Sequence, residues 1–435
     1  MRKLSEPLAL TKTIKQLGME DHDAIRLGRL LVSETTRRKN FIDAFINKAI
    51  RPSGLNEFSL GVQAFLRLYV YETRIAKNWS SVDVEDAENI AGLARSILGW
   101  KTLQPVERFL GNLLTQTPSV VFEGKNDEAR IALQTFQPVW FVEYCIRIFG
   151  RQETLKILES YMSPPPLYLR LNLLKGNSEE TIVRLRREGV ELQETEDSAF
   201  TYRIVKSEKP ITRTACFQEG AVRLQDRSDS FAVGSAGITK GATVLDACCA
   251  LGTITTQIAQ GLKNNGRIIS LDYSKRRMST WTREIKLAGV TIAEPVIADV
   301  CAPLPLSGEA DVIFLDPPCT GTGLFGRLPS LKWRLSPQSV NRMVDIQWQM
   351  LNNCANYLRT TGTLVYSTSS ITIEENEMLI EKFLKWHSEF SLASISLGKG
   401  SPGLRGLEKC LRLYPHIHGC NGLFVAKLVK EGNLN

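Results

Sequence analysis

Two short segments of this 435-residue chain carry the side chains best suited to chemistry. Residues 316–323 read Asp-Pro-Pro-Cys-Thr-Gly-Thr-Gly, in which two prolines fix the backbone and two glycines permit tight turns. A cysteine aimed by such a rigid loop, Cys319, is atypical of a core-filling thiol, which favours a functional role for it. Residues 366–370 read Tyr-Ser-Thr-Ser-Ser. The four consecutive Ser and Thr hydroxyls at 367–370 would face a ligand cleft, or would form a polar turn that caps a helix beginning near Ile371 to Glu374.

A second group of residues points to a cofactor. Asp246 and Asp272 each end a strand-like run, and an acidic residue at such a position accepts hydrogen bonds from ribose hydroxyls. The loop after Asp246 has a single glycine, so it matches neither G-x-G-x-x-G nor a P-loop. A cofactor with an adenosine and no phosphates, such as S-adenosylmethionine, fits better. Asp299 and Asp316 follow two further strands, although each aspartate alone is equally typical of a loop or cap.

Residues 325–334 interleave basic and aromatic side chains just beyond Cys319. Aromatic faces stack on unpaired bases, and Arg and Lys neutralise phosphates. The pattern predicts RNA binding, and the alternative is a solvated surface loop. The candidate RNA-binding residues are Arg327, Lys332, Trp333 and Arg334.

Composition narrows the function classes further. The 54 basic and 46 acidic side chains give a net charge of +8, which is compatible with nucleic acid without requiring it. The nine cysteines include no CxxC pair, which favours reduced thiols and argues against a metal site. No apolar run reaches the roughly 18 residues that span a bilayer, and the N-terminus lacks a signal-peptide core. We therefore expect a cytoplasmic protein without a membrane segment.

Three regions must position these residues. Apolar residues at three- and four-residue intervals predict an all-helical domain over residues 1–155. The triple proline at 164–166 ends this pattern, and residues 156–215 predict a small α+β region. Strands then alternate with helices over 216–435, which predicts a parallel, doubly wound α/β sheet. Such sheets bind ligands beyond the carboxyl ends of their strands, where the four aspartates lie.

Taken together, these segments resemble the RNA (cytosine-5) methyltransferase family, the Sun/NOL1/NOP2 group. The resemblance is carried by VLDACCALGTITTQIA, LDPPCTGTG, YSTSSITIEENE and PHIHGCNGLFVAKL. The helical N-terminus is similar to the NusB-like RNA-binding domain of bacterial 16S rRNA methyltransferases. The resemblance implies a Rossmann-like class I methyltransferase fold, S-adenosylmethionine as cofactor, rRNA or tRNA as partner and 5-methylcytosine as product. We expect a monomer.

The resemblance also implies roles for individual residues. Asp272 would hold the cofactor ribose, Asp299 would lie near the adenine, and Asp316 would contact both cofactor and base. Cys319 would assist loss of the C5 proton and release of the enzyme, whereas Ser369 occupies the position of the nucleophilic cysteine. The cofactor loop would comprise Cys248, Cys249, Ala250, Leu251, Gly252, Thr253 and Ile254.

Two departures from the family pattern leave alternatives open. Serine replaces the nucleophile at Ser369, and the family's Pro-Gly-Gly-Lys reads Leu-Gly-Thr-Ile at 251–254. An active enzyme would use Cys319 as nucleophile, as DNA cytosine-5 methyltransferases use a Pro-Cys cysteine. A catalytically impaired relative would act as an RNA-binding protein. A third class, amino-group methyltransferases, carries Asp-Pro-Pro followed by an aromatic residue, and Cys319 stands where that residue would be.

Overall fold

Apolar stripes on successive helices build the helical unit, which we define as the chain up to Ser163 together with the loop 328–334. The computed structural model describes residues 6–79, 83–195, 200–396, 398 and 400–432. The α-helices of this unit are α1 (Glu6–Gln16), α2 (His22–Arg37), α3 (Lys39–Ala49), α4 (Leu60–Val70), α5 (Val84–Leu98), α6 (Trp100–Thr115), α7 (Asp127–Gln134) and α8 (Val139–Ser160). Short turns of 3-10 helix lie at Leu55–Glu57 and Pro118–Phe122, and a π-helical turn lies at Tyr71–Ile75.

The core of the helical unit centres on α3, whose Ile42, Phe45 and Ile46 are fully buried. The boundary predicted at residue 155 falls inside α8, which continues to Ser160 and ends before the triple proline. Sequence analysis also did not anticipate that the loop 328–334 belongs to this unit. The loop is distant in sequence, so no local pattern assigns it to the helices.

The rest of the chain forms the sheet unit, residues 164–327 and 335–435. Its first part holds β1 (Tyr168–Leu171), α9 (Ser178–Arg187), β2 (Val190–Glu194), β3 (Thr201–Ser207), a 3-10 turn (Ile211–Arg213), α10 (Ala215–Gln218) and β4 (Val222–Leu224). These strands form an antiparallel sheet in the order β2-β3-β1-β4. The α+β character predicted for this region agrees with the structure, apart from β4, which lies beyond residue 215.

The second part of the sheet unit contains the large sheet. Its elements are α11 (Arg227–Gly234), β5 (Thr243–Asp246), α12 (Thr253–Leu262), β6 (Arg267–Asp272), α13 (Lys275–Leu287), β7 (Ala293–Ile297), β8 (Ala310–Leu315), a 3-10 turn (Thr322–Leu324), α14 (Pro337–Ala355), β9 (Leu358–Thr368), α15 (Glu377–Trp386), β10 (Phe390–Leu392), β11 (Ser401–Pro402), β12 (Leu411–Leu413), α16 (Pro415–His418) and β13 (Leu423–Lys430). The strand order is β11-β12-β13-β9-β8-β5-β6-β7, with β10 paired to β13.

Both faces of this sheet are buried. Along β8, Val312 and Phe314 belong to one apolar cluster, and the alternating Ile313 and Leu315 belong to another. Successive strand residues point to opposite faces, so the two clusters lie on the two sides of the sheet. The predicted Rossmann-like α/β class is confirmed.

One part of the predicted sheet is wrong. The strands β7, β6, β5, β8 and β9 run parallel to their neighbours, but β13 pairs antiparallel with β9. β13 also pairs antiparallel with β12, since the connection between these two strands covers only residues 414–422 and a parallel crossover needs a dozen residues or more. The sheet is therefore mixed rather than wholly parallel.

Two kinds of feature are absent from the residues that the structure describes. No helix there combines the length and apolar character needed to cross a membrane. Within the same ranges, His, Cys, Asp and Glu side chains form no group of three that would hold a metal ion.

Candidate active site

The carboxyl ends of four neighbouring parallel strands gather most of the residues singled out from the sequence. Asp246 ends β5 and Asp272 ends β6, while Asp316 follows β8 and Ser369 follows β9. The four strands are adjacent in the order β9-β8-β5-β6. The sheet therefore brings the predicted cofactor and catalytic segments to one edge, which is where ligands bind in this architecture.

The loop after β5 turns sharply into α12. Gly252, which precedes the helix, has φ 89°, and a Cβ at this position would lie 3.2 Å from Cδ1 of Trp281. Cys249 is buried and its N–H donates to the carbonyl of Leu271 on β6. Ile254 packs on the core, and Leu251 is half exposed. The loop is thus anchored to the sheet by its backbone and presents Leu251 outward.

Asp246 lies beneath this loop and is only 1% exposed. Its Oδ2 accepts a hydrogen bond of 2.5 Å from the Thr255 hydroxyl, which in turn accepts one of 3.0 Å from the Trp281 indole. Burial raises the pKa of the Asp246 carboxyl to about 7, and the charges of Asp316 and Asp272 act in the same direction. Asp246 therefore positions α12 and α13 rather than facing a ligand.

We expect the free energy of unfolding to fall less steeply with rising pH in Asp246→Asn than in the unmodified protein. The folded carboxyl holds its proton up to about pH 7, whereas an unfolded aspartate loses it near pH 4. Stability contributed by this group is therefore complete below about pH 4 and falls as the pH rises towards 7, by about 1.4 kcal/mol per unit at most. Denaturant unfolding at pH 5 and pH 8 measures the difference, with the exposed Asp345→Asn as control. An equal difference in all three proteins contradicts the prediction.

Asp272 is nearly buried and is held by its neighbours. Its Oδ1 accepts from the Ser274 N–H at 2.7 Å, and Arg277 grips both oxygens, with Nε 2.8 Å from Oδ2. Among the described residues Oδ2 receives only this guanidinium, which leaves it able to accept a ribose hydroxyl. The Ala298 N–H, just after β7, donates to the Asp272 carbonyl. The exposed Asp299 is the next residue, so it lies beside the end of β6.

Exposed apolar side chains accompany these carboxylates. Leu251 lies in the loop after β5, Tyr273 directly follows β6, and Ile297 is the last residue of β7. Each of these side chains is about half exposed or more. Large apolar groups in such positions are suited to a flat, weakly polar ring. Together with Asp272 and Asp299, they fit the adenosyl part of S-adenosylmethionine.

The Pro-Cys loop meets the end of β9. The backbone N–H groups of Gly321 and Ser369 both point at the Cys319 sulfur. Burial raises the pKa of the Cys319 thiol, and the charges of Glu375 and Asp316 raise it further. The Ser369 hydroxyl has no hydrogen-bond partner among the described residues, so nothing there activates it. Cys319 and Ser369 are thus brought together, as two residues acting on one base must be.

Asp316 lies at the start of the same loop. Burial raises the pKa of its carboxyl to about 7, and a hydrogen bond from Ser367 opposes the shift. Near neutral pH a protonated fraction is therefore present, and this form donates a hydrogen bond where the ionised form accepts one.

Glu375 holds the loop in place from within. Its carboxylate is fully buried and accepts from the Thr320 N–H at 2.8 Å, from Gln347 at 3.0 Å, and from the hydroxyls of Thr320, Ser370 and Thr372 at 2.5 to 2.8 Å. The predicted helix cap at Ile371 to Glu374 is wrong, because α15 begins only at Glu377. The Ser370 hydroxyl donates to Glu375 instead, and the Thr368 hydroxyl donates to Asn376, the residue that precedes α15.

The predicted RNA-binding residues have different environments. The structure contradicts the prediction for Lys332, which is 1% exposed in the helical unit; burial and the charges of Arg37 and Arg38 lower its pKa well below the usual value. Trp333 donates its indole N–H to the Thr36 carbonyl at 2.6 Å. A buried lysine and a tethered indole are poorly placed to meet RNA.

The two arginines differ from these. Arg327 donates to the Pro166 carbonyl at 2.8 Å and forms an ion pair with Asp226 at 3.2 Å, so it ties segments of the sheet unit together. Arg334 is exposed. RNA binding stays a prediction for Arg334, and Arg327 has a structural role that the sequence pattern did not reveal.

Comparison with known proteins then places the chain. A family model described as 16S rRNA methyltransferase RsmB/F matches residues 237–429, and one described as an RsmF/B-like ferredoxin-like domain matches 137–207. The probable ribosomal RNA small subunit methyltransferase B of Bacillus subtilis is 30% identical over 308 residues, covering 70% of this chain and 68% of that protein. This chain belongs to the RsmB/F family.

Two other relatives extend the family assignment. The 28S rRNA (cytosine-C(5))-methyltransferase of Mus musculus is 30% identical over 302 residues, which cover 66% of this chain and 38% of that protein. The crystal structure of PH0851 superimposes with a TM-score of 0.83 at 28% identity, covering 97% of this chain and 93% of that one. The helical N-terminal region of this RsmB/F member is consistent with the NusB-like domain expected from the sequence.

Sequence analysis missed three residues of this RsmB/F site. Glu375 acts by holding the loop of Cys319, and Arg277 acts by holding Asp272. In the sequence, each is only a charged residue close to the end of a strand, which does not distinguish it from other charged residues. The third, Asp229 on the first turn of α11, lies among the charges of Asp226 and Asp316. Burial raises the pKa of the Asp229 carboxyl well above its usual value, and these neighbours add to the effect.

Proposed function

We propose that this RsmB/F protein transfers a methyl group from S-adenosylmethionine to C5 of a cytosine in ribosomal RNA. The observation that carries the proposal is the meeting of Cys319 with Ser369, beside Asp316, at the sheet edge that also holds Asp272. The names of the bacterial and mouse relatives, which act on ribosomal RNA, favour rRNA over tRNA. A cytoplasmic location and a monomeric state stay predictions.

The residues present support a thiol-based reaction. When bound, the cofactor supplies an electrophilic methyl group. The Cys319 thiol gives up its proton and its sulfur adds to C6 of cytosine, which makes C5 nucleophilic. C5 then takes the methyl group, and S-adenosylhomocysteine is the leaving group. Loss of the C5 proton to solvent and cleavage of the S–C6 bond restore the aromatic ring and the Cys319 thiolate. Protonated Asp316 donates a hydrogen bond to the ring nitrogen N3, which gains electron density as sulfur adds. The target base must be unpaired or flipped out of its stack.

Cys319 is the preferred nucleophile because Ser369 lacks an activating partner. A serine hydroxyl is far less acidic than a thiol and requires an adjacent base to attack. None contacts the Ser369 hydroxyl within the described residues. The raised pKa of Cys319 implies that the thiol is mostly protonated at neutral pH, so the reaction accelerates with rising pH.

A second candidate function is RNA binding without methyl transfer. The serine at position 369 and the isoleucine at 254, where the family has cysteine and lysine, favour it. This protein would keep the fold and the cofactor surface around Asp272 and use them to recognise RNA.

A methyl-transfer assay separates the two functions. The protein is incubated with labelled S-adenosylmethionine and unmodified rRNA, with unmodified tRNA in parallel, and label in 5-methylcytosine is measured. Label in rRNA supports the proposed function. RNA and cofactor binding without transfer supports the second candidate. If S-adenosylmethionine does not bind at all, the proposed methyltransferase function fails.

We expect Asp272→Ala to weaken S-adenosylmethionine binding by about tenfold or more. The variant removes a carboxylate acceptor for the ribose, and a hydrogen bond to a charged group contributes about 1.5–3 kcal/mol. Isothermal calorimetry measures the affinity. Glu294→Ala is the matched control, because this exposed carboxylate pairs with Arg267 at the amino ends of β7 and β6, away from the carboxyl ends that hold Asp272. Equal affinities for the two variants contradict the assignment.

A further inference from the structure

An aromatic pocket opens in the helical unit, and none of its lining residues has been given a role above. Its walls are the rings of Phe41, Trp79, Phe122 and Phe136, joined by Ile75, Pro118, Leu133 and Gln134. Its volume is about 280 Å³. Ligand sites in proteins begin at about 300 Å³, so this pocket suits one planar group rather than a large ligand.

The rings are arranged around Phe41. Its centroid lies 6.0 Å from Trp79, 6.2 Å from Phe122 and 6.0 Å from Phe136. Phe41 is nearly buried and belongs to the core, whereas the three surrounding rings are only partly buried. Phe41 therefore forms the base of the pocket, and the others form walls that a ligand can reach.

Two of these walls have an unusual backbone. Trp79 has φ 58° and Phe136 has φ 59°, in the left-handed region that bulky residues rarely adopt. Phe136 is the second residue after α7, and the N–H of Gln137 donates to the Ala132 carbonyl, a helix ending in which this position usually carries glycine. Strain of this kind collects at functional sites. Here the chain places an aromatic ring where glycine would be easier.

Guanidinium groups lie against both of these walls. The Cζ atom of Arg74 is 5.2 Å from the Trp79 ring centroid, and that of Arg38 is 5.2 Å from Phe136. Arg74 is 7% exposed, and its Nε has no hydrogen-bond partner among the described residues. A buried donor without an acceptor is costly, and a ligand carrying negative charge would satisfy it. Aromatic walls with adjacent guanidiniums are the chemistry that recognises a base together with its phosphate.

We propose that the aromatic pocket binds one unpaired nucleobase of RNA, with Arg74 facing the adjoining phosphate, while Arg38 stays paired with Glu34 over the Phe136 ring. This inference rests on the proposed function, which supplies RNA as the substrate. An apolar side chain of a protein partner would fill the same volume, but it would leave the buried Nε of Arg74 without an acceptor among the described residues. The nucleotide is therefore the occupant that the lining favours.

Phe136→Gly in the full chain tests the proposal. Glycine suits the backbone of residue 136, so the fold is kept while one wall is removed. We expect affinity for a fluorescent ten-nucleotide single-stranded RNA to fall about tenfold, with the melting temperature changed little. Trp100→Ala is the matched control: Trp100 is exposed in the same unit, with Arg95 5.7 Å from its ring, and lies outside the pocket. This variant should bind within twofold of the unmodified protein.

Three results would overturn the inference. The first is unchanged RNA affinity in Phe136→Gly with an intact fold; the second is an equal loss for Trp100→Ala. The third is a loss that is the same for a ten-base-pair duplex RNA, which offers no unpaired base. If Phe136→Gly weakens the binding of a phenylalanine-containing peptide but leaves the RNA affinity unchanged, the pocket binds a protein partner instead. Because the readout is binding, absence of methyl transfer with pocket-dependent RNA binding refutes only the proposed function.

Discussion

Replacing Cys319 with alanine abolishes methyl transfer, with an expected loss of rate on the order of 10⁴-fold. Among the described residues, Cys319 supplies the only thiol where the Pro-Cys loop meets β9, so the variant has no sulfur that can attack the base. The hydroxyl of Ser369 does not compensate, since it has no base beside it. Label transferred to unmodified rRNA measures the rate. Cys145→Ala is the control, because this thiol is buried in α8 of the helical unit.

A partner variant, Ser369→Cys, shows which residue the active site was built to use. The backbone N–H of residue 369 points at the Cys319 sulfur, so a thiol introduced on this residue would reach the same cytosine. Activity that persists in Cys319→Ala contradicts Cys319 as nucleophile. If the unmodified protein is silent and Ser369→Cys is active, the site is intact and disabled at a single atom, and the RNA-binding function gains support.

Replacing Glu375 with alanine lowers the free energy of unfolding by about 3–5 kcal/mol. The carboxylate is fully buried and receives five hydrogen bonds, so its removal leaves donors from Thr320, Ser370, Thr372 and Gln347 without an acceptor. Because Thr320 follows Cys319, the loop loosens as well. Denaturant unfolding measures the stability, and the rate of thiol modification at Cys319 measures the loosening.

Glu381→Ala is the matched control for this change. Its carboxylate pairs with Arg405 on the surface, where an ion pair contributes about 0–1 kcal/mol. Glu375→Gln keeps the shape but replaces one acceptor oxygen with a donor, so it should be destabilised to an intermediate extent. A loss below 1 kcal/mol in Glu375→Ala would contradict the role given to the buried carboxylate.

Local patterns carried much of the fold. Strand-like runs that each end in an acidic residue located Asp246, Asp272 and Asp316 at strand ends, and the structure places them there. The same reasoning did not separate their roles. Both carboxylates are buried, but Asp246 accepts from Thr255 on α12, whereas Asp272 accepts from Ser274 and Arg277 at the start of α13; these partners come from helices that pack over the strands and not from the strands themselves.

The sequence by itself determined the Rossmann-like class, the helical N-terminal region, the Pro-Cys loop and the departure at Ser369, since periodicity, turn residues and motif spacing are local properties. Only the tertiary structure decided that Lys332 is buried, that Glu375 organises the active-site loop, and that β13 runs antiparallel. Each of these depends on contacts between distant segments, such as Thr320 with Glu375, 55 residues apart. Local propensity does not encode such contacts, because they form only when the whole chain packs.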